Sequence, residues 1–466
     1  MTTFKDLWLA SKFLDVLDAE WYHTPTPIQE QSIPIALTGR DIFGCAQTGT
    51  GKTASFSLPM LQLLDKTHDD STTTKGKKTK IRSLIVTPTR ELAIQIGENL
   101  RKYSRKTNLR NTVIFGGVKQ TNQVKVLRKG VEILVATPGR LLDLVNQKII
   151  DLSHVEVLIL DEADRMMDMW FIHDIKKINK LIPKKRQTLF FSATTTPKVM
   201  DLAKEFLHDP KEITVTPASS TVDTIDQSLY TLSKKDKKEL LYHIFETTKI
   251  SSAVVFTRTK HWANKVEKNL LKKWIKAAAL HGNKSQNARQ KALKALKDGS
   301  IQVLVATDVA ARGIDVSLLS HVIIYDVPVE PESYVHRIGR TGRAGETGHA
   351  LMFCDPSEIK LLKEVTKLIK IDIPHNKDHP FHLDFGTLSK EEIAELSKKP
   401  VRGGRWWARG QGQGRRNGEG RRKRSWWANE KSNEGGYKGK RWGEKRNGSG
   451  EQSGKSRNSG RRRRSR

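Results

Sequence analysis

Asp41-Ile42-Phe43-Gly44-Cys45-Ala46-Gln47-Thr48-Gly49-Thr50-Gly51-Lys52-Thr53 decides the fold. The first five residues read as a strand; the rest form a glycine-bearing turn that opens an apolar-periodic helix running through Leu63. Glycines in such a turn let backbone N–H groups close on phosphate oxygens, and the helix N-terminus favours the anion. Lys52 is placed to reach the β- and γ-phosphates, and Thr53 to ligate magnesium. Strand, phosphate loop and helix in that order predict a parallel α/β sheet with its ligand at the carboxyl ends of the strands.

Downstream, the apolar run Val155-Glu156-Val157-Leu158-Ile159-Leu160 ends in Asp161-Glu162-Ala163-Asp164. A buried strand that ends in acidic residues delivers carboxylates to the mouth of the sheet. There Asp161 can hold magnesium through its water shell, and Glu162 can orient and deprotonate an attacking water. Together with the phosphate loop they describe a nucleotide triphosphatase. Further strands are expected over 81–87, 111–115, 133–136 and 188–191, with helical patterns between most of them. A second series begins near Asp223, with strands over 253–256, 276–280, 303–306, 321–325 and 348–353. Helices are expected over 261–273, 285–298 and 358–369, and a short one over 389–399. The insert at 67–80, THDDSTTTKGKKTK, reads as a polar surface loop, and 209–223, with Pro210 and Pro217, reads as the joint.

The 466 residues carry a formal charge of +32, whose common physical use is attraction to a polyanion. From Val401 to Arg466 there are 22 Lys or Arg against 5 Asp or Glu, so more than half the excess lies in the last 66 residues. That segment also holds 15 Gly and almost no aliphatic side chains, too little apolar surface to offset its ordering entropy. It is expected to be a disordered nucleic-acid-binding tail, its Arg-Gly pairs and the run Arg461 to Arg464 favouring that over a solubilising extension. No stretch approaches the roughly 18 apolar residues of a membrane span, and no signal-peptide pattern opens the chain. Cys45 and Cys354 suggest no disulfide framework. A cytoplasmic location without membrane partners is the expectation.

The first 370 residues resemble a DEAD-box RNA helicase of superfamily 2, bacterial type with a basic Arg/Gly-rich tail. Phe4 and Gln29, within Pro25-Thr26-Pro27-Ile28-Gln29, match the adenine-reading motif. Pro88-Thr89-Arg90-Glu91-Leu92-Ala93, Gly116-Gly117 and Thr137-Pro138-Gly139-Arg140 resemble first-lobe RNA-backbone contacts. Ser192-Ala193-Thr194 matches the segment that links hydrolysis to strand separation. In the second lobe, Val255-Phe256-Thr257-Arg258, Gln286 with Arg289, and Thr307 resemble further RNA contacts. Arg312-Gly313-Ile314-Asp315 and His336-Arg337-Ile338-Gly339-Arg340-Thr341-Gly342-Arg343 match the remaining nucleotide motifs. Each string alone is a weak signal, whereas the ordered set is specific.

The resemblance implies two tandem RecA-like lobes, each a doubly wound parallel sheet, plus the tail. Its boundaries are an ATP-binding lobe at 1–212 with the adenine-reading motif at 4–32, a linker at 213–223, a second lobe at 224–372, a connector at 373–399 and the tail at 400–466. It also implies ATP bound at Ala46, Gln47, Thr48, Gly49, Thr50, Gly51, Lys52 and Thr53, with Asp315 on the ribose. Arg340 and Arg343 are expected to neutralise charge on the transferring phosphate. Arg312 and His336, with Asp164 and Ser192 to Thr194, would couple the lobes. ATP with Mg2+ and single-stranded or short duplex RNA are the expected ligands, RNA being read with little sequence specificity. Ribosomal precursors and RNA-degradation complexes both fit as settings. Two other readings stay open at this level: an RNA clamp or annealing chaperone that relies on the tail, and a translocating DNA helicase.

The tryptophans are oddly placed. Trp21 and Trp274 each follow a helical run, where a left-handed glycine is expected. Trp8, Trp170 and Trp262 also fall where the related helicases commonly carry Gly. The tail segments Arg405-Trp406-Trp407-Ala408-Arg409 and Arg424-Ser425-Trp426-Trp427-Ala428, with Trp442 after Arg441, would become Arg-Gly-type repeats under the same replacement. One reading is that UGA codons, glycine in the source cell, are rendered here as tryptophan. The other is that the aromatics are genuine: base-stacking platforms in the tail and tolerated surface residues in the core.

Overall fold

In a computed structural model, the structure describes residues 2–47, 49–67, 79–215, 225–311, 319–342, 348–387, 389 and 391–392. Short apolar runs form its strands. β1 (Ile42–Cys45), β2 (Ser83–Val86), β3 (Asn111–Ile114), β4 (Ile133–Ala136), β5 (Val157–Leu160), β6 (Gln187–Ser192) and β7 (Lys211–Thr214) make one sheet in the order β3-β4-β2-β5-β6-β1-β7. Every pairing in it is parallel. Its central strands are buried on both faces because helices cover both: Leu84, Leu158 and Phe190 face one apolar layer, while Ile85, Ile159 and Leu189 face the other.

The second sheet contains β8 (Ile225–Thr231), β9 (Ala253–Phe256), β10 (Ala277–Leu280), β11 (Val303–Ala306), β12 (His321–Ile324) and β13 (Gly348–Cys354). Its order is β10-β11-β9-β12-β13-β8, again all parallel. Apolar layers lie on both faces here too, with Val254 and Val322 on one side and Val255 and Ile323 on the other. This is the tandem doubly wound architecture read from the sequence.

Two strands escaped that reading. β7 lies inside the expected joint, yet Ile42 to Cys45 pair with Lys211 to Thr214. It is an edge strand with Ile213 as its one buried residue, so Lys-Glu-Ile-Thr carries almost no hydrophobic signal. β8 alternates polar and apolar residues, and it is held against Gly348 to Cys354 at the sheet edge. The expected tail at 400–466 lies outside the described residues, as do 68–78 of the insert, 216–223 of the joint and 393–399. Among the described residues no helix is long and apolar enough to cross a membrane. Cys45 and Cys354 are buried free thiols.

Among the described residues eight non-glycine residues have positive φ, and four of them are tryptophans: Trp8 (60°), Trp21 (61°), Trp170 (62°) and Trp274 (63°). Trp262 differs. It sits in the first turn of α11 (Lys260–Lys272), half-buried and tilted over Tyr325 with ring centroids 6.3 Å apart. The backbone therefore supports the glycine expectation at four of the five core tryptophans and gives it no support at Trp262.

Candidate functional site

Strand order builds the nucleotide end of the first lobe. β5, β6 and β1 are consecutive neighbours, so the chain leaving each of them arrives at one place. β1 leads into the phosphate loop, β5 into Asp161 and Glu162, and β6 ends at Ser192. Gly49 and Gly51 both take φ of 91°, which a side chain would oppose. Gly51 then opens α3 (Lys52–Lys66). Gln29 lies on α2 (Pro27–Leu37), where its Oε1 accepts from the Thr26 N–H at 2.9 Å and its Nε2 donates to the Gly51 carbonyl at 3.1 Å. A Cβ on Gly51 would collide with that amide. Gln29 thus braces the loop from beneath, while Phe4, in a 3-10 turn, is buried in the same apolar layer as Ile28. Thr50 Oγ1 donates to the Gln47 carbonyl at 2.8 Å, and the buried Lys52 ammonium donates to the Ala46 carbonyl at 2.7 Å. Thr53 is half-buried one residue on, and Thr48 lies outside the described residues.

Glu162 is held in an unusual conformation, φ 55° and ψ 50°, at the start of α7 (Ala163–Asp168). The left-handed region costs a non-glycine residue on the order of 1–2 kcal/mol, so this backbone is held by its surroundings. Part of that hold is Arg165, whose Nη1 donates to Glu162 Oε2 at 3.0 Å with both side chains buried. The other carboxylate oxygen of Glu162, Oε1, is buried and has no hydrogen-bond partner among the described residues. Beside it, burial pushes the Asp161 carboxyl up to about 6, with Lys52 pulling it down and Glu162 pushing it further up. Asp164 Oδ2 accepts from the Ala193 N–H at 3.1 Å, and Ser192 Oγ donates to the Thr194 carbonyl at 2.8 Å. The acidic segment and Ser192 to Thr194 are therefore directly joined.

Of the three buried carboxylates here, Glu162 is paired with Arg165, Asp164 accepts from Ala193, and Asp161 has Lys52 as its nearby positive charge, so Asp161 is the one a hard divalent cation would relieve. The Thr53 hydroxyl and the Asp161 carboxylate are the oxygen donors that Mg2+ prefers. The orphaned Glu162 oxygen fits a water positioned for attack.

The first-lobe residues expected to meet RNA converge. Thr89 caps α4 (Arg90–Tyr103), its Oγ1 accepting from the Leu92 N–H at 3.3 Å. Gly117, at φ 75°, lies so close to the Arg90 guanidinium that a Cβ would displace it. Thr137 precedes α6 (Pro138–Asn146), and Arg140 donates to the Val118 carbonyl and to Gln123 Oε1, both at 3.1 Å. Pro88 to Arg90, Gly116-Gly117, Thr137 and Arg140 so form one braced surface. Burial and the Arg289 charge lower the Arg90 guanidinium from its ordinary value.

That last influence crosses between lobes. Gln286 and Arg289 lie on α12 (Gln286–Lys297) of the second lobe, and both reach Glu91. Gln286 Nε2 donates to Glu91 Oε1 at 2.8 Å, Arg289 Nη2 lies 3.0 Å from Glu91 Oε2, and Arg90 Nη1 meets Gln286 Oε1 at 3.5 Å. The Gln286 and Arg289 of the sequence reading are thus partners of Glu91, a residue it quoted but gave no role. Arg258 is placed elsewhere: it donates to the Val327 carbonyl at 3.2 Å and pairs with Glu358 of its own lobe.

His336 and the buried Arg340 line a small cavity with Asp308 and Arg337. Arg337 holds Asp308 with two bonds, Nε–Oδ1 at 2.7 Å and Nη2–Oδ2 at 2.6 Å. Thr307, just before Asp308, takes its N–H to the Leu280 carbonyl at 3.2 Å. Arg312, Asp315 and Arg343 lie outside the described residues. A larger cavity of about 450 Å³ has Asp168 and Trp170 from the first lobe on one wall and Arg258, Asp308, Val329 and Arg337 on the other. Four groups gained a place here that sequence reasoning had not given them: Arg165, Glu91, the Arg337–Asp308 pair, and Lys237. The Lys237 ammonium is fully buried, donates to Glu358 at 2.6 Å and sits 3.1 Å from Asp355. Of these, Arg165 alone carries a local signal, its i to i+3 spacing from Glu162 across the first turn of a helix.

Residues 26–202 match the family model described as DEAD/DEAH box helicase, and residues 236–345 match the helicase conserved C-terminal domain. The chain is 42% identical over 370 residues to the ATP-dependent RNA helicase CshA of Listeria monocytogenes, which covers 79% of this chain and 69% of that protein. The DEAD-box ATP-dependent RNA helicase CshA of Geobacillus kaustophilus is 39% identical over 394 residues, or 84% of this chain and 82% of that one. Among solved structures, S. cerevisiae Dbp5 bound to RNA and ADP BeF3 superposes with a TM-score of 0.70 at 28% identity, covering 85% of this chain and 100% of that one.

Proposed function

The chain belongs to the DEAD-box family of ATP-dependent RNA helicases, and from that premise we propose how its own residues divide the work. It is an enzyme that hydrolyses ATP and closes two lobes on RNA. ATP lies in the phosphate loop from Ala46 to Thr53, with Gln29 and Phe4 at the adenine and Asp315 at the ribose. Lys52 leaves its bond to the Ala46 carbonyl for the β- and γ-phosphates. Thr53 and Asp161 hold Mg2+, which when bound supplies positive charge to the phosphate oxygens. Glu162 takes the proton of the attacking water. Arg340 and Arg343 bring guanidinium charge from the second lobe to the transferring phosphate.

Pro88, Thr89, Arg90, Gly116, Gly117, Thr137 and Arg140 meet the RNA backbone on the first lobe, and Gln286, Arg289 and Thr307 on the second, where Arg258 would have to leave Glu358 to join them. Such contacts read phosphate and 2′-hydroxyl and leave bases unread. β7 carries the first lobe past the expected 1–212 to Thr214, so the linker of 213–223 begins after that strand; the second lobe runs 224–372 and the connector 373–399, and the basic segment at 400–466 adds salt-dependent affinity for RNA. A cytoplasmic setting and ribosomal precursors or RNA-degradation complexes fit this chemistry.

One observation carries the assignment of the base. A buried Glu162 oxygen without a hydrogen-bond partner lies beside Asp161, at the ends of strands adjoining the phosphate loop. The test is Glu162→Gln, which keeps size and removes the base. RNA-stimulated phosphate release should fall at least about 100-fold, the usual contribution of a positioned base, with ATP affinity within a few-fold of the parent. Unaltered hydrolysis would show that another group takes the proton.

A further inference from the structure

Three helices of this protein end in the same way, and each time tryptophan stands at the residue that must turn left-handed. At the end of α1 (Ser11–Ala19), Trp21 N–H donates to the Asp18 carbonyl at 3.0 Å and Tyr22 N–H to Leu17 at 2.9 Å. At the end of α7, Trp170 donates to Met167 at 3.0 Å and Phe171 to Met166 at 2.9 Å. At the end of α11, Trp274 donates to Leu271 and Ile275 to Leu270, both at 3.1 Å. Each is the paired-bond helix terminus whose left-handed residue is ordinarily glycine, followed by an apolar residue that folds back on the last turn. Trp8 does the same after the 3-10 turn Phe4–Leu7, at φ 60° and ψ 23°.

The protein also has glycine in this role. Gly39, Gly130 and Gly299 follow the ends of α2, α5 (Thr121–Arg128) and α12 with φ of 84°, 81° and 73°. Lys148 and Lys370 occupy comparable positions, but a charged side chain there keeps its head in water. Burial does not offset the strain: Trp8, Trp21, Trp170 and Trp274 are 65%, 84%, 86% and 95% exposed, and Trp21 has only an edge-on contact with the exposed His23 ring at 6.0 Å. Trp262, the one core tryptophan in ordinary helical backbone, is also the one that is half-buried, its ring tilted over Tyr325.

We propose that positions 8, 21, 170 and 274 are glycine in the protein as its own cells make it, a UGA triplet being read there as glycine. UGA differs from the tryptophan codon UGG in its last base, so a codon table that assigns it to tryptophan writes an indole into every such turn. The outcome is four places where the largest side chain occupies a conformation suited to the smallest.

Peptide-resolved mass spectrometry of the protein isolated from the cells that encode it tests this directly. Glycine is expected at all four positions, and tryptophan at Trp21, Trp170 or Trp274 overturns the proposal. The strain behind it is tested separately in one expression host. The chain carrying W8G, W21G, W170G and W274G should melt several degrees above the chain as written, and W262G alone should melt below it. An equal or lower melting temperature for the fourfold variant, or a rise with W262G, refutes the backbone argument.

Discussion

Glu91→Gln should uncouple RNA binding from the ATP state. Glu91 is met by both Gln286 and Arg289, at 2.8 Å and 3.0 Å, and it links α4 of the first lobe to α12 of the second. The substitution keeps an acceptor oxygen and the shape of the side chain but removes the charge that Arg289 faces. A hydrogen bond to a charged partner contributes about 1.5–3 kcal/mol, and this pair is largely shielded from water. The larger penalty of a stranded buried charge, about 3–5 kcal/mol, does not apply, because opening the lobes returns Arg289 to solvent. The loss therefore falls on closure alone. At about 1.4 kcal/mol per factor of ten, closure becomes roughly 10- to 150-fold less favourable. Fluorescence anisotropy with a labelled single-stranded RNA reads this: affinity with a non-hydrolysable ATP analogue should fall by about that factor, while affinity with ADP stays within about threefold. A cycle with Arg289→Met separates the bridge from any contact that Arg289 itself makes to RNA. Equal losses in both nucleotide states would place Glu91 in RNA binding on one lobe, and no loss would remove the bridge from the closing step.

Two other outcomes follow from buried charge. Asp161 titrates in the fold at about 6 against an ordinary 3.8, so its ionisation destabilises the ion-free fold as pH rises through about 6, and acid relieves it. Mg2+-dependent hydrolysis should accordingly fall on an acid limb near pH 6, and raising Mg2+ from sub-saturating to saturating should move that limb to lower pH; a limb indifferent to Mg2+ assigns it to another group. Lys237→Met leaves Glu358 and Asp355 buried without their shared cation, a loss of about 3–5 kcal/mol, which is on the order of 10 °C in Tm by differential scanning calorimetry. An unchanged Tm would mean that the carboxylates are solvated or protonated in the parent.

The sheet was legible because its central strands are continuous apolar runs bounded by turn chemistry. Ile133–Ala136, Ala253–Phe256 and Val303–Ala306 run between the same residues in sequence and structure. β7 was not, since an edge strand needs one buried side chain and the polar remainder of Lys211–Thr214 looks like linker. At the site, residues in local motifs could be named from spacing: a loop that holds phosphate must be contiguous, and carboxylates at a strand end are contiguous too. Pairings made by folding could not. Glu91 meets Arg289 from the other lobe, and no periodicity connects them. Lys237 and Glu358 lie 121 residues apart and meet because β8 and β13 are neighbours at one edge of the second sheet. The left-handed tryptophans were legible at Trp21 and Trp274 because helix exits have their own grammar, whereas Trp262 rested on the family resemblance alone and lies where the helix has only begun.

α7 has a residue of positive φ on either side: Glu162 at φ 55° before it and Trp170 at φ 62° after it. Six residues of helix span about 9 Å, too short to bend, so the segment behaves as a peg set between two fixed turns. One end of the peg fixes the carboxylate that faces the water. The other, through Asp168, Met169 and Trp170, forms a wall of the cavity whose opposite wall is Arg258, Asp308 and Arg337. One short helix thus joins the catalytic carboxylate to a wall that the second lobe faces across the cavity.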